Sequence, residues 1–287
     1  MTEEPTPKQG RIAERFEIET EIHRGGMARV YRARDTQNGQ VVALKRPLND
    51  DSGDLLRFNQ EGDILSELTH PAIVLHVAHG GSGFEDAYIA TEWLEGETLL
   101  ERLRRDRLTI AESVAVARRA AEALGCAHRA RVIHRDVKPA NLMLCAGGQG
   151  TLKLLDFGIA RREQGAGLNT HVTFNGGTWS YMSPEQAMGA AELGARTDVF
   201  SLGCVLFECL SGSAAFPSER SAALVAKIWN EAPTLASQWS GVPPKLLALL
   251  AKMMAKDPTA RPRDGVTLAT ELASLGKMPD QKAEPKL

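Results

Sequence analysis

Two polar segments set among apolar ones constrain this chain more than any other feature. The first is His134-Arg135-Asp136-Val137-Lys138-Pro139-Ala140-Asn141, and the second is Asp156-Phe157-Gly158. Arg131-Val132-Ile133 and Leu142-Met143-Leu144 flank the first, and Leu152 to Leu155 leads into the second. This pattern puts the polar groups on loops beside short buried strands. At 287 residues the chain can bury a sizeable core around such loops, as one large two-lobed domain or as two small ones.

The rest of the chain changes character once. From Phe16 to Trp93 the signal is strand-rich: Phe16 to Ile22 alternates, Val30 to Ala33 follows, Asn38-Gly39 marks a hairpin, and Val41 to Leu44 starts another strand. Asp54 to Leu68 interrupts it as a helix, with Leu55, Phe58, Ile64, Leu65 and Leu68 at helical spacing. After Gly96 helices dominate: Ile110, Val114, Ala117, Ala121 and Leu124 mark one face, and Thr197 to Leu210, Ala222 to Trp229 and Lys245 to Ala255 add more. Residues 1–11 and 276–287 are polar and proline-bearing and are expected to be flexible tails.

Composition narrows the partners. Lys plus Arg (34) nearly balances Asp plus Glu (36), so neither nucleic acid nor an anionic membrane surface is expected. Val199 to Leu210 is too short for a bilayer, and Met1 to Gly10 lacks the pattern of a secretory leader. Cys126, Cys145, Cys204 and Cys209 form no C-x-x-C pair, and with His23, His70, His76, His79, His128 and His171 they give no metal-ligand spacing. A cytoplasmic setting fits, either free or as the cytosolic part of a longer membrane-anchored protein.

The polar segments carry the groups that phosphoryl transfer needs: a carboxylate to orient a hydroxyl, an amide and a second carboxylate for a divalent cation, and a lysine to neutralise the moving charge. Their order and spacing resemble the catalytic and magnesium-binding loops of protein kinases, specifically the bacterial, eukaryotic-type (Hanks-type) serine/threonine kinases. The resemblance implies an α+β, bilobal protein-kinase-like fold over residues 12–275. A β-rich N-lobe would take residues 12–93, a hinge 92–97 and an α-helical C-lobe 98–275. It also implies roles: Asp136 orients the substrate hydroxyl, Lys138 binds the γ-phosphoryl oxygens, and Asn141 and Asp156 hold the metal. Lys138 two residues after Asp136 is the serine/threonine pattern.

Further motifs extend the likeness. Val42-Ala43-Leu44-Lys45 resembles the strand lysine that pairs the α and β phosphates, with Glu61 as its carboxylate partner and Glu67 as the runner-up. Ile22-His23-Arg24-Gly25-Gly26-Met27-Ala28-Arg29-Val30 resembles the loop over the ATP phosphates, but His23 and Ala28 stand where the family has glycines. The resemblance puts adenine against Ala43, Thr91, Glu92, Leu94 and Met143, and Thr91 would leave room behind the base for bulky competitive inhibitors. Gly177-Thr178-Trp179-Ser180-Tyr181-Met182-Ser183-Pro184-Glu185 resembles the peptide-docking end of an activation segment, which implies protein substrates and a Glu185 to Arg261 ion pair. Arg135 beside Asp136 implies control by phosphorylation, with Thr170 and Thr173 as the autophosphorylation sites and a homodimer as the means of trans-phosphorylation.

The expected function is therefore ATP-dependent transfer of a phosphoryl group to Ser or Thr of proteins, with ATP and magnesium, or manganese in its place. A nucleotide-binding pseudokinase or scaffold is the alternative, suggested by His23 and Ala28 and opposed by Lys45, Asp136, Asn141 and Asp156. A small-molecule phosphotransferase is a third reading.

Overall fold

The computed structural model of the chain describes residues 11–25, 28–48, 50–81, 83–146, 152–157, 179–190, 193–216 and 239–285. Gly26, Met27, Gly158, Thr170, His171, Thr173, Gly177, Thr178 and the helix expected over Ala222 to Trp229 lie outside these residues. The chain divides into two compact units, one running to Thr69 and resuming over Val74–Leu94, the other comprising His70–Ile73 and everything from Glu95 onward.

The alternating segments of the first unit form one antiparallel sheet. Its strands are β1 (Arg11–Ile12), β2 (Phe16–Arg24), β3 (Ala28–Asp35), β4 (Val41–Pro47), β5 (His76–Gly80) and β6 (Tyr88–Glu92), in the order β1-β2-β3-β4-β6-β5. Successive side chains of a strand alternate faces, and directly opposed residues share one. The register pairs Tyr31 with Leu44, Ala33 with Val42 and Leu44 with Ala90, so these residues form one face and join Phe16 and Tyr88 in an apolar core. It also pairs Val30 with Lys45 and Ala43 with Thr91, which assigns those four to the opposite face. A helix, α1 (Ser52–Glu67), begins at Asp51, whose carboxylate accepts from the N–H groups of Gly53 and Asp54. It buries Phe58, Glu61, Gly62 and Leu65.

Helices dominate the second unit, which also holds a three-stranded sheet of β7 (Gly96–Thr98), β8 (Leu142–Cys145) and β9 (Leu152–Leu154). The helices are α2 (Leu99–Arg105), α3 (Ile110–Arg129), α4 (Pro184–Ala187), α5 (Ala195–Ser211), α6 (Pro244–Met253) and α7 (Gly265–Ser274). Apolar residues run all round α5, and Thr197 to Phe207 of it is buried, as expected of a helix enclosed by the others. Gly265 sets the approach of α7 to α3: a Cβ there would lie 2.3 Å from the Gly125 backbone nitrogen.

Two expectations need correction. Arg131-Val132-Ile133 is not a strand but the turn that closes α3: Val132 N bonds Ala127 O, Arg131 N bonds His128 O, and Arg131 takes a left-handed φ of 60°. That hydrogen-bond pattern closes a helix by satisfying its last carbonyls, and it spends the apolar Val132 on capping rather than on a sheet. Residues 276–285, expected to be a loose tail, are packed. Gln281 O and Pro279 O accept from the N–H groups of Ile110 and Ala111, and β11 (Glu284–Pro285) pairs with β10 (Trp239–Ser240). The first turn of a helix has donors with no partner inside the helix, and here the tail supplies the acceptors for α3.

Candidate active site

In the first unit the pleat of β4 turns Lys45 away from the apolar core, and α1 presents Glu61 from a buried position. Lys45 Nζ lies 2.7 and 2.9 Å from the two Glu61 oxygens. Glu67 is exposed at the end of α1, because only residues in phase with Phe58 and Leu65 face inward. At the facing ends of β2 and β3, Gly25 N bonds Ala28 O at 2.9 Å. Ile22, His23 and Arg24 are exposed on the end of β2, while Ala28 is buried. Thr91 and Glu92 end β6, and Glu92 is tied to Leu75 twice, through backbone N to Leu75 O and through Oε1 to Leu75 N. Leu94 is the last residue of this unit.

The second unit assembles the remaining groups around a buried carboxylate. Asp198, in the first turn of α5, accepts from His128 Nε2 at 2.8 Å, His134 N at 2.9 Å and Arg135 N at 2.8 Å. Burial opposes its ionisation, but His128 and the other donors outweigh that and hold its pKa below the ordinary aspartate value. Gly265 N donates to His128 Nδ1, so the proton sits on Nε2, pointing at Asp198. His134, fully buried, donates from Nε2 to Leu155 O and packs its ring, tilted by 43°, against Phe157 with the centroids 4.7 Å apart. Arg135 takes a left-handed φ of 64° as the chain turns into Asp136.

Asp136, Lys138 and Asn141 then meet at one oxygen. Lys138 Nζ is 2.8 Å and Asn141 Nδ2 3.1 Å from Asp136 Oδ2, and Nδ2 also donates to Asp136 O at 2.8 Å. A backbone bond from Leu155 N to Asn141 O, continuing the pairing of β8 with β9, brings the start of the second polar segment beside the first. Asp156 follows it, exposed, with a positive φ of 30°. Met143 sits on β8 between Thr98 and Lys153. Among the described residues no group of three His, Cys, Asp or Glu side chains is arranged to hold a metal.

Beyond the second polar segment, Glu185 on α4 receives both arms of Arg261, at 2.7 and 3.0 Å, and the Thr197 hydroxyl at 2.8 Å. Burial raises the Glu185 pKa, yet Arg261 more than offsets it and the net direction is downward. Tyr181 donates its buried hydroxyl to Glu208, and burial raises the pKa of both. Three contributors escaped sequence reading: Asp198 was legible only as part of a helix motif, His128 as an ordinary helix residue, and Gln186 as the neighbour of Glu185. The signal for Asp198 is Arg196-Thr197-Asp198-Val199-Phe200-Ser201-Leu202-Gly203, which resembles the large-lobe core helix of protein kinases.

The family profile described as the protein kinase domain matches residues 16–273. "Probable serine/threonine-protein kinase SCO3848" of Streptomyces coelicolor is 36% identical over 260 residues, covering 88% of this chain and 38% of its own length. Serine/threonine-protein kinase PknB of Mycolicibacterium smegmatis is 34% identical over 280 residues, covering 94% of this chain and 44% of its own length. Serine/threonine-protein kinase PknJ of Mycobacterium tuberculosis is 36% identical over 261 residues, covering 88% and 44%. The chain thus spans less than half the length of these relatives. No helix among the described residues is long and apolar enough to cross a membrane.

Proposed function

The chain belongs to the protein kinase family, and on that premise we propose that it transfers the γ-phosphoryl group of ATP to serine or threonine hydroxyls of proteins. The observation that carries this reading is the shared contact of Lys138 and Asn141 with Asp136 Oδ2. Asp136 orients the incoming hydroxyl and takes its proton as oxygen bonds to the γ-phosphorus and the bond to the bridging oxygen of ADP breaks. Lys138, two residues on, neutralises charge on the transferring oxygens. Lys45, fixed by Glu61, supplies positive charge to the α and β phosphates.

The donor set suits a hard divalent cation, because Asn141 commits its Nδ2 to Asp136 and so offers Oδ1, and Asp156 adds a carboxylate. Magnesium bound by these two residues, or manganese in its place, would neutralise the phosphate oxygens and hold them in line. Ile22, His23, Arg24, Gly25, Gly26, Met27, Ala28, Val30, Ala43, Thr91, Glu92, Leu94 and Met143 are assigned to the nucleotide. Thr170 and Thr173 are assigned to autophosphorylation.

Incubation with labelled ATP, magnesium and a mixed Ser/Thr protein substrate tests the proposal. Label should enter phosphoserine or phosphothreonine, and Asp136→Asn should lower the rate by about 10² to 10⁴-fold with nucleotide affinity retained. Equal rates for the variant and the original chain would overturn the role of Asp136, and turnover confined to a metabolite would overturn the substrate class.

A further inference from the structure

Glu185 and Gln186 are adjacent on α4 but serve different partners. Glu185 faces Arg261 and Thr197, whereas Gln186 reaches the loop that carries Asp136. Gln186 Nε2 donates to Arg135 O at 2.9 Å, and its Oε1 accepts from Ser183 N at 3.1 Å. The Gln186 N–H returns to Ser183 Oγ at 3.3 Å, which completes a capping box at the start of the helix.

Arg135 O belongs to the peptide plane that enters Asp136. Two groups define how that plane can turn, its carbonyl and the Asp136 N–H. Gln186 holds the carbonyl at 2.9 Å, and the N–H lies 3.3 Å from His134 Nδ1. On its other side Arg135 is held by Asp198, which accepts the Arg135 N–H. The residue between these anchors is non-glycine at φ 64°, a conformation that costs about 1–2 kcal/mol and persists only where its surroundings enforce it. Turning the 135–136 plane changes ψ of Arg135 and φ of Asp136 together, and with them the direction of the Asp136 carboxylate.

We propose that Gln186 is a positioning residue for Asp136: its amide pins the peptide between Arg135 and Asp136 and so links the α4 turn to the aim of the carboxylate. The inference rests on the reading of Asp136 given above. It also explains why one side chain makes both bonds, since the segment that ends at Ser183 and the segment that carries Asp136 are then held in register by a single amide group.

Two variants separate the hydrogen bonds of Gln186. Gln186→Glu keeps an acceptor for the capping box, where Glu is a favoured residue, but has no N–H for Arg135 O. Gln186→Lys keeps a donor and loses the acceptor. Positioning predicts that the Glu variant loses about tenfold in kcat, the size of one net hydrogen bond, with KM values for ATP and a peptide within about twofold of the original. Its backbone amides over 135–137 should exchange faster with deuterium, and the Lys variant should recover kcat. A purely structural cap predicts the reverse, with the Glu variant fully active and the Lys variant impaired, and that result overturns the proposal. Loss of kcat without faster exchange, or faster exchange without loss of kcat, overturns it too, because the effect would then not pass through this peptide. If the original chain phosphorylates no protein, the reading of Asp136 fails; if it does and both variants match it, only the present inference fails.

Discussion

Asp198→Asn should unsettle the whole catalytic loop from a residue that carries no chemistry. The carboxylate accepts two N–H groups on Oδ2, from His128 and His134, and one on Oδ1, from Arg135. Asparagine has the same shape but one acceptor oxygen. With that oxygen in the Oδ2 position it keeps two partners, and its NH₂ then confronts the Arg135 N–H. One charge-assisted bond is lost, about 1.5–3 kcal/mol, and a buried donor is left without an acceptor, about 1–3 kcal/mol. Removing a buried charge offsets part of this, so a net loss of about 3 kcal/mol is expected. With one of its two anchors gone Arg135 is held less firmly in its left-handed conformation, and kcat should fall at least about tenfold.

Urea unfolding followed by circular dichroism, run across pH, provides the assay. The folded pKa of Asp198 lies below its unfolded value, so its stabilisation is complete above the unfolded value of about 3.9 and disappears as pH falls through the folded pKa. The gap between the original chain and the Asn variant should therefore be full at pH 7 and narrow only below about pH 4. A gap under about 0.5 kcal/mol at pH 7, with kcat unchanged, would refute the claim that Asp198 holds the loop.

Other perturbations follow from the same geometry. Glu61→Gln removes the charge that fixes Lys45 in the first unit, and kcat/KM for ATP should drop by about one to two orders of magnitude while the melting temperature moves little. Glu185→Ala leaves the fully buried Arg261 guanidinium without its carboxylate, a loss of about 3–5 kcal/mol read by thermal unfolding, whereas replacing both residues with apolar ones should cost less. Burial, reinforced by His79, lowers the pKa of His76, so its neutral form is favoured by folding. Stability should decline as pH falls from about 6.5 toward the folded pKa, and His76→Gln should flatten that part of the profile. Deleting residues 276–287 strips the acceptors from Ile110 and Ala111 and removes the buried Ala283, with an expected loss of about 2–3 kcal/mol in urea unfolding.

Local rules carried the sequence a long way. Period-two alternation located β2, the Asn38-Gly39 hairpin signal set β3 and β4 on either side of it, helical spacing located α1 and α3, and the order of the short motifs identified the family. The resemblance of Arg57 to Glu61 to the family's helix favours Glu61 over Glu67, and the structure adds that Glu61 is buried in phase with Phe58 and Leu65. Where the reading went wrong, the deciding partner was distant. Residues 276–285 look like a tail by composition, yet the donors they satisfy belong to the start of α3, more than 160 positions earlier. Val132 looks like strand material, yet α3 needs it to close its final turn.

The sequence by itself determined which groups are available, because the identity and spacing of Lys45, Asp136, Lys138, Asn141 and Asp156 are covalent facts. Tertiary structure decided what holds them. Asp198 reaches back 64 positions to His134, and Gln186 reaches back 51 to Arg135, and no propensity or periodicity encodes a hydrogen bond across such separations. The reason is physical: a short motif fixes side-chain chemistry, but a left-handed residue such as Arg135 survives only when remote donors and acceptors close around it.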